Sequence, residues 1–500
     1  MNTLDLMTPM GALFGLMPEV ILTITACIVF LVAGWRQSTP EDSRLAGWIS
    51  LAGVVLSGAA LSYLWVGGFT SNGIPHMVAL DPFRYAALGI LLLAVGLTIG
   101  LSLGYLEREG LLAPEYYGLV LLAAVGMMLL AGAVDFVVLF LGLELMSVAA
   151  YVLASFNRRS QASAESGLKY FLIGAFASAF LLYGIALLYG ATGSTNLVLV
   201  GVQLSSGSVS LMTALGLGML LIGFAFKVSA VPFHMWAPDV YDGAPTPVTG
   251  LMATGIKAAA FLALIRVLMQ GLAPLEALWQ PVISTLAVLT MVVGNLVALS
   301  QRSIKRMLAY SSIAHAGYLL VAVWPGTRLG AAALLIYLLA YGITTLAAFG
   351  ILAMLGRDGE RDVTVDDITG LAKERPWMAF AMAICMLSLL GFPGTFGFIA
   401  KWMVLTSAVF EGQWLLAVVM VLASVVSAGY YLPVIMGMYM RDAEPGVDYS
   451  GLKVWGAGAG VVAVAIVGII LLGLWPPDLI DLSMESAAAL FQRSLPVAIQ

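Results

Sequence analysis

From about residue 14 onward the chain is a succession of apolar runs, each roughly twenty residues long, joined by short polar connections. A run of that length crosses a hydrocarbon core about 30 Å thick as a helix. No open, irregular segment can do the same, because backbone N–H and C=O groups in lipid must be satisfied without water. Of the 500 residues, 61% are hydrophobic and only 10% charged, whereas a soluble domain carries about 25% charged residues. An all-α polytopic membrane protein is therefore expected.

The runs number about fourteen: 14–35, 45–66, 80–105, 114–132, 134–155, 165–191, 210–241 (broken), 247–270, 278–299, 303–324, 330–355, 376–410 (broken), 414–440 and 452–474. Connections that follow odd-numbered runs hold fifteen lysines and arginines, whereas the opposite side holds only Arg328 and Arg493. Positive charge stays on the cytoplasmic side, so both termini are expected outside the cytoplasm. No cation precedes the first run and Arg36 follows it, which predicts a retained anchor rather than a cleaved signal. Cys27 and Cys385 sit in apolar runs, so neither a disulfide nor a metal site is expected from them. The glycines of "GAGAG", Gly456–Gly460, follow no strand and read as a helix-packing surface rather than a phosphate loop. No cofactor site is expected in this chain.

Five cations fall inside the runs: Arg84, Lys227, Lys257, Arg266 and Lys401. Arg84, at the start of its run beside Asp81, reads as local pairing or snorkelling; Arg266 lies near a helix end. The three lysines are central, and each costs on the order of 3 kcal/mol to insert. The chain has seven lysines in all and places three of them there. Arginine keeps its proton in a protein and lysine can release one, so the choice favours proton handling over a packed ion pair. The matching acid is Glu144, in the middle of "VDFVVLFLGLELMSVAAYVL", while Asp135 reads as interfacial. A carboxylate at membrane depth points to function, with the nearest lysine as its partner.

Two helix breaks locate the water. "KVSAVPFHMWAPD" sets Pro232 five residues after Lys227, and "LSLLGFPGTFGFIAKW" sets Gly391, Pro393, Gly394 and Gly397 before Lys401. Broken backbone at membrane depth is tolerated only inside protein or beside a water-filled cavity. Breaks at corresponding places in two halves mark transport sites. The broken seventh run is fourth in a block of five (helices 4–8), and the broken twelfth is fourth in the next five (helices 9–13). Because five is odd, the second block is inverted relative to the first. The expected organisation is 1–113 (helices 1–3), 114–270 (repeat one), 278–440 (repeat two) and 452–500 (helix 14 and the tail). His315, with Ser311 and Ser312 nearby, and His234, beside the first break, are further candidates, since a neutral imidazole can pass a proton between its nitrogens. A histidine bonded to a serine or carbonyl as filler is the alternative.

"GFAFKVSAVPFHMWAPDVYDGAPTPV", "QRSIKRMLAYSSIAHAGYLL", "ESGLKYFLIGAFASAFLLYG" and "GFPGTFGFIAKW" together resemble the antiporter-like membrane subunits of respiratory complex I, the N-type and mitochondrial subunit-2 type above all. The resemblance covers essentially the whole chain. It implies a fourteen-helix fold with two inverted repeats in the bacterial plasma membrane, both termini periplasmic, acting in proton translocation coupled to NADH:quinone oxidoreduction. It also implies that Glu144, Lys227, Lys257 and Lys401 carry the proton, with Lys169, Lys305 and His315 along the same polar axis. On their own sequence context Lys169 and Lys305 read equally as cytoplasmic-edge charges. Flavin mononucleotide, iron–sulfur clusters and quinone would belong to partner subunits. Those partners would be the M-type and small K-, J-, A- and H-type membrane subunits together with lipid, and no nucleic acid. The M-type siblings tend to carry Glu where this chain has Lys401, and the L-type siblings carry a long lateral helix for which the sequence to Gln500 leaves no room. A subunit of an Mrp-type cation/proton antiporter is the alternative.

Overall fold

The structure, a computed structural model, describes residues 2–4, 8–35, 39–71, 77–207, 209–356, 363–443, 449, 452 and 454–491. Arg36, Arg357, Arg361, Lys453 and Arg493, which enter the charge count, lie outside the described residues. In chain order the helices are α1 Pro9–Gly15, α2 Met17–Trp35, α3 Pro40–Val66, α4 Pro82–Arg108, α5 Glu115–Gly132, α6 Phe136–Ala154 and α7 Gln161–Thr192. They continue as α8 Leu197–Ser206, α9 Leu211–Lys227, α10 Trp236–Gly243, α11 Thr246–Gly271, α12 Glu276–Ala298, α13 Ile304–Val323 and α14 Arg328–Leu355. The last five are α15 Pro376–Leu390, α16 Phe396–Phe410, α17 Trp414–Met440, α18 Gly456–Leu474 and α19 Pro477–Ala488. Eleven helices among the described residues are long and apolar enough to cross a membrane.

The helices outside that set are informative. α13 has twenty residues but carries Lys305, Arg306, Ser311, Ser312 and His315, and nearly all of it is buried. Apart from the partly exposed Arg306, these polar groups face protein, as is usual for ionisable groups at membrane depth. α9 with α10, and α15 with α16, are the two broken pairs that Pro232 and the Gly391–Gly397 cluster predict. The first run differs from expectation: α1, capped by Thr8, stops at Leu16 before α2 begins. α8 and α19 and a short parallel pairing of Asn2–Leu4 with Phe69–Ser71 were not legible as apolar runs.

The centre of the molecule is α11, every residue of whose most apolar stretch is buried, wrapped by α14, α5 and α4. Two π-helical turns, Met252–Ile256 and Val267–Gly271, interrupt it on either side of the Lys257–Arg266 segment. Glycines let neighbouring backbones close up. A Cβ at Gly126 of α5 would lie 2.4 Å from Met146 N of α6, and one at Gly294 of α12 would lie 2.6 Å from Ala314 N of α13. Gly184 of α7 and Leu220 of α9 meet at the same range. Close approach through small residues is how membrane helices gain packing without a hydrophobic driving force.

Candidate functional site

Lys227 ends α9 and is 2% exposed. Its Nζ donates to Ser147 Oγ of α6 at 2.6 Å and lies 3.5 Å from Tyr151 Oη, with the rings of Tyr151, Tyr170 and Phe226 around it. Beyond Lys227 the backbone leaves the helix, Ser229 taking a left-handed φ of 60° before Pro232. The break is held on both sides. Trp236 Nε1 donates to Phe226 O at 3.1 Å and its ring stacks on Tyr170, while Val231 N donates to Thr290 Oγ1 of α12 at 2.9 Å.

Glu144 stands one turn before Ser147 on α6 and is half-buried, its Oε1 enclosed without a hydrogen-bond partner. Lys227 therefore rests on the serine, not on the carboxylate. Residues three apart on a helix share a face, so the two acceptors lie side by side on α6.

Lys257 follows the first π turn and is buried. Its Nζ donates to Ser312 O at 2.8 Å and to Ser312 Oγ, which joins α11 to α13. On α13, Ser311 bonds Tyr431 Oη, which lies 3.2 Å from His315 Nε2, and Tyr337 Oη lies 2.8 Å from His315 Nδ1. Both ring nitrogens of His315 thus meet a tyrosine hydroxyl, one of α17 and one of α14. The His315 ring packs edge-on against Tyr318, whose ring lies 4.9 Å beneath Lys401 Nζ. Lys401 itself donates to Leu390 O across the second break at 2.9 Å and to Ser424 Oγ at 3.3 Å. Among the described residues no carboxylate oxygen lies within 4.0 Å of Lys227, Lys257 or Lys401.

The remaining candidates sit apart from this line. Lys169 is half-exposed, paired with Glu165 at 2.7 Å and Asp239 at 3.0 Å, and Asp239 also takes Arg306 at 3.1 Å. Lys305 donates to Ala244 O at 2.7 Å. His234 is half-buried in the first break and makes no hydrogen bond to any of the lysines. The Arg84 guanidinium does not pair with its neighbour Asp81, whose Oδ1 instead accepts from the Arg84 backbone N–H at 2.6 Å. That carboxylate caps α4 and takes Arg266 in a two-pronged contact at 2.7 and 3.0 Å, leaving Arg84 to reach Glu19 of α2 at 2.6 Å. The sequence reading missed Asp239, Ser147, Tyr337 and Tyr431, and it set Ser312 beside His315 without assigning it to Lys257. Hydroxyls in apolar helices look like core, and only their contacts with Lys227, Lys257 or His315 single them out.

Residues 133–427 match a family described as NADH:quinone oxidoreductase/Mrp antiporter, TM. A protein of Gemmatimonas aurantiaca named NADH-quinone oxidoreductase subunit N is 42% identical over 99% of this chain and 97% of its own length. A chain of respiratory complex I from Thermus thermophilus with bound Aureothin superposes with a TM-score of 0.78 at 37% identity, covering 93% of this chain and 99% of that one. A chain of the Mrp complex from Dietzia sp. DQ12-45-1b superposes with a TM-score of 0.83 at 24% identity, over 95% and 98%. At that identity the Mrp likeness speaks for the fold alone, whereas the others extend to sequence along nearly the whole length. The chain belongs to the NADH:quinone oxidoreductase/Mrp antiporter transmembrane family, among its subunit N members.

Proposed function

We propose that this chain is a proton-translocating membrane-arm subunit of a bacterial NADH:quinone oxidoreductase, driven by quinone reduction elsewhere in the complex and doing no redox chemistry itself. The observation that carries this is the line of three buried lysines seated on hydroxyls and carbonyls, free of carboxylate contact. An ammonium group held so is a charge able to leave its proton behind, which a salt-bridged one resists. The Mrp-antiporter reading shares the fold but has only 24% identity in its support against 37–42%.

In this reading fourteen crossings include α13 and each broken pair counted once, in two inverted repeats over 114–270 and 278–440, after residues 1–113 and before 452–500. The glycine contacts support it, since α5–α6 and α12–α13 are the first helix pair of each repeat and both close at glycine. Both termini face the periplasm, on the strength of the charge asymmetry. Its membrane neighbours are the M-type and the small K-, J-, A- and H-type subunits, and the flavin mononucleotide, iron–sulfur clusters and quinone belong to other subunits of the complex rather than to this chain.

Lys227 alternates between Ser147 and Glu144. The conformation described has it on Ser147, and a charge change in a neighbouring subunit would pull it onto the carboxylate or release it. A contact between unit charges at about 4 Å is worth roughly 4 kcal/mol at an effective dielectric of 20. Moving one charge through 100 mV takes about 2.3 kcal/mol, so the contact is of the size needed to gate a proton. From Lys227 the proton passes through water to Lys257, then by Ser312, Ser311, Tyr431 and His315 to Lys401. Lys169, Lys305 and His234 serve the approach to Lys227. The test is Lys227→Arg, which keeps the charge and removes the releasable proton. Inverted membrane vesicles carrying it should oxidise NADH at a reduced rate with proton uptake lost. Uptake at the parental rate would refute this route.

A further inference from the structure

At the end of the bundle where α4 and α14 begin, four elements surround a cavity of about 170 Å³. Trp65 of α3 and Ala86, Gly89 and Ile90 of α4 line one side, Leu335, Ile336 and Leu339 of α14 another, and Leu479, Leu482, Ser483 and Ser486 of α19 close it. α19 is tied down there, since Arg328 Nε at the start of α14 donates to Met484 O at 2.7 Å. The walls are apolar with two exceptions. Ser483 is satisfied by Ile480 O at 2.7 Å. Ser486 is 1% exposed and its Oγ has no hydrogen-bond partner.

We infer that this cavity is a binding site for one acyl chain of a diacyl membrane lipid, with Ser486 donating to the ester carbonyl at the head of that chain. Three observations lead to that class of ligand. The first is size and polarity: an apolar cavity of about 150 Å³ stays dry and takes a hydrocarbon guest. The second is depth. Ala86 and Ile90 lie roughly 6 and 12 Å along α4 from its start, at 1.5 Å per residue, and Trp65 stands at the rim. Tryptophan marks the membrane–water interface, the level at which lipid ester groups sit above their chains. The third is the orphaned hydroxyl. A buried polar group without a partner is costly, and an ester oxygen is the acceptor that this depth supplies. Gly89 makes the room, since a Cβ built there would meet nothing within 4 Å. Between α4 and α14 the space narrows to about 10 Å³ among Ile90, Leu93, Ala94, Leu97 and Leu346, so the cavity is closed on the side of Thr254 and Ala258 of α11. The site goes beyond the proton route and does not depend on it.

The test uses the whole complex, reconstituted in phosphatidylcholine vesicles that contain a phosphatidylcholine with a diazirine near the ester end of one acyl chain. After irradiation, labelled residues are mapped by peptide mass spectrometry. Labelling at Ala86–Ile90, Leu335–Leu339 and Leu479–Ser486 should exceed that on the exposed face of α17 (Val418, Val421, Val425) at least about fivefold. Gly89→Phe, which fills the cavity, should bring it down to the α17 level with NADH:quinone reductase activity retained. Ser486→Ala should lower it about fivefold, the worth of one hydrogen bond, and serves should Gly89→Phe fail to assemble. Labelling no stronger than on α17, or unmoved by either variant, would overturn the site. So would a photo-crosslinker at Leu482 that captures a neighbouring subunit in place of lipid.

Discussion

The molecule buries two kinds of cation and treats them oppositely. Toward the end where α4 begins, Arg84 and Arg266 are 0% exposed and each is matched to a carboxylate, Glu19 or Asp81, across helices far apart in sequence. In the middle, Lys227, Lys257 and Lys401 are just as enclosed, yet rest on Ser147, Ser312, Leu390 and Ser424. Arginine's planar fork suits a fixed two-pronged contact, and its charge never leaves. Those pairs hold the N-terminal helices to α11. The lysines have neutral acceptors that do not fix their charge. Burial alone does not separate the two groups; the partner does.

Three substitutions put that contrast at risk, with effects on stability running from large to small and effects on pumping running the other way. Arg266→Ala strands the Asp81 carboxylate and should cost about 3–5 kcal/mol. Native gels should show little assembled complex, and what remains should inactivate at lower temperature. Ser147→Ala removes the neutral acceptor of Lys227 and should cost about 1–3 kcal/mol. Assembly should survive, with proton uptake by inverted vesicles slowed several-fold and NADH oxidation less affected. Lys257→Met deletes an ammonium that has no counter-charge, and since a central lysine costs about 3 kcal/mol to insert, the heat-inactivation midpoint should hold or rise. Proton uptake should disappear. A Lys257→Met complex that fell apart while Arg266→Ala stood firm would reverse the assignment of the two groups.

Much of this was legible before any coordinates. Runs of twenty apolar residues, the two breaks and the position of each buried lysine follow from composition, proline and glycine, because lipid admits so few backbone solutions. What escaped had weak or long-range signals. α8, capped by Asn196, and α19, opened by Pro477, are too short to read as crossings. Pairing was the harder part. The adjacency of Arg84 and Asp81 suggested a local contact, but Asp81 was already engaged as a helix cap and by Arg266, a residue 185 positions away. Tyr337 and Tyr431 stand in apolar stretches of two different helices and look like packing until His315 is seen between them. The π turns of α11 left no mark in the sequence that periodicity could detect.

The enclosure of α11 bears on how the chain is made. Lys257, near its middle, opposes its partition into lipid by roughly 2.5–3.5 kcal/mol and Arg266, nearer its end, by less, against roughly 3–5 kcal/mol in favour from its nine Val, Leu, Ile and Phe residues. Released alone from a translocation channel it would be held in lipid by a narrow margin at most. Neighbours that take up its two cations widen that margin, and synthesis runs from the N-terminus. Asp81 and the Ala131 carbonyl, which receive Arg266, have emerged by then, but Ser312, which receives Lys257, has not. One of the span's two cations thus finds its acceptors in helices already made and the other in a helix made later, so the burial of this span is completed only by the second half of the chain.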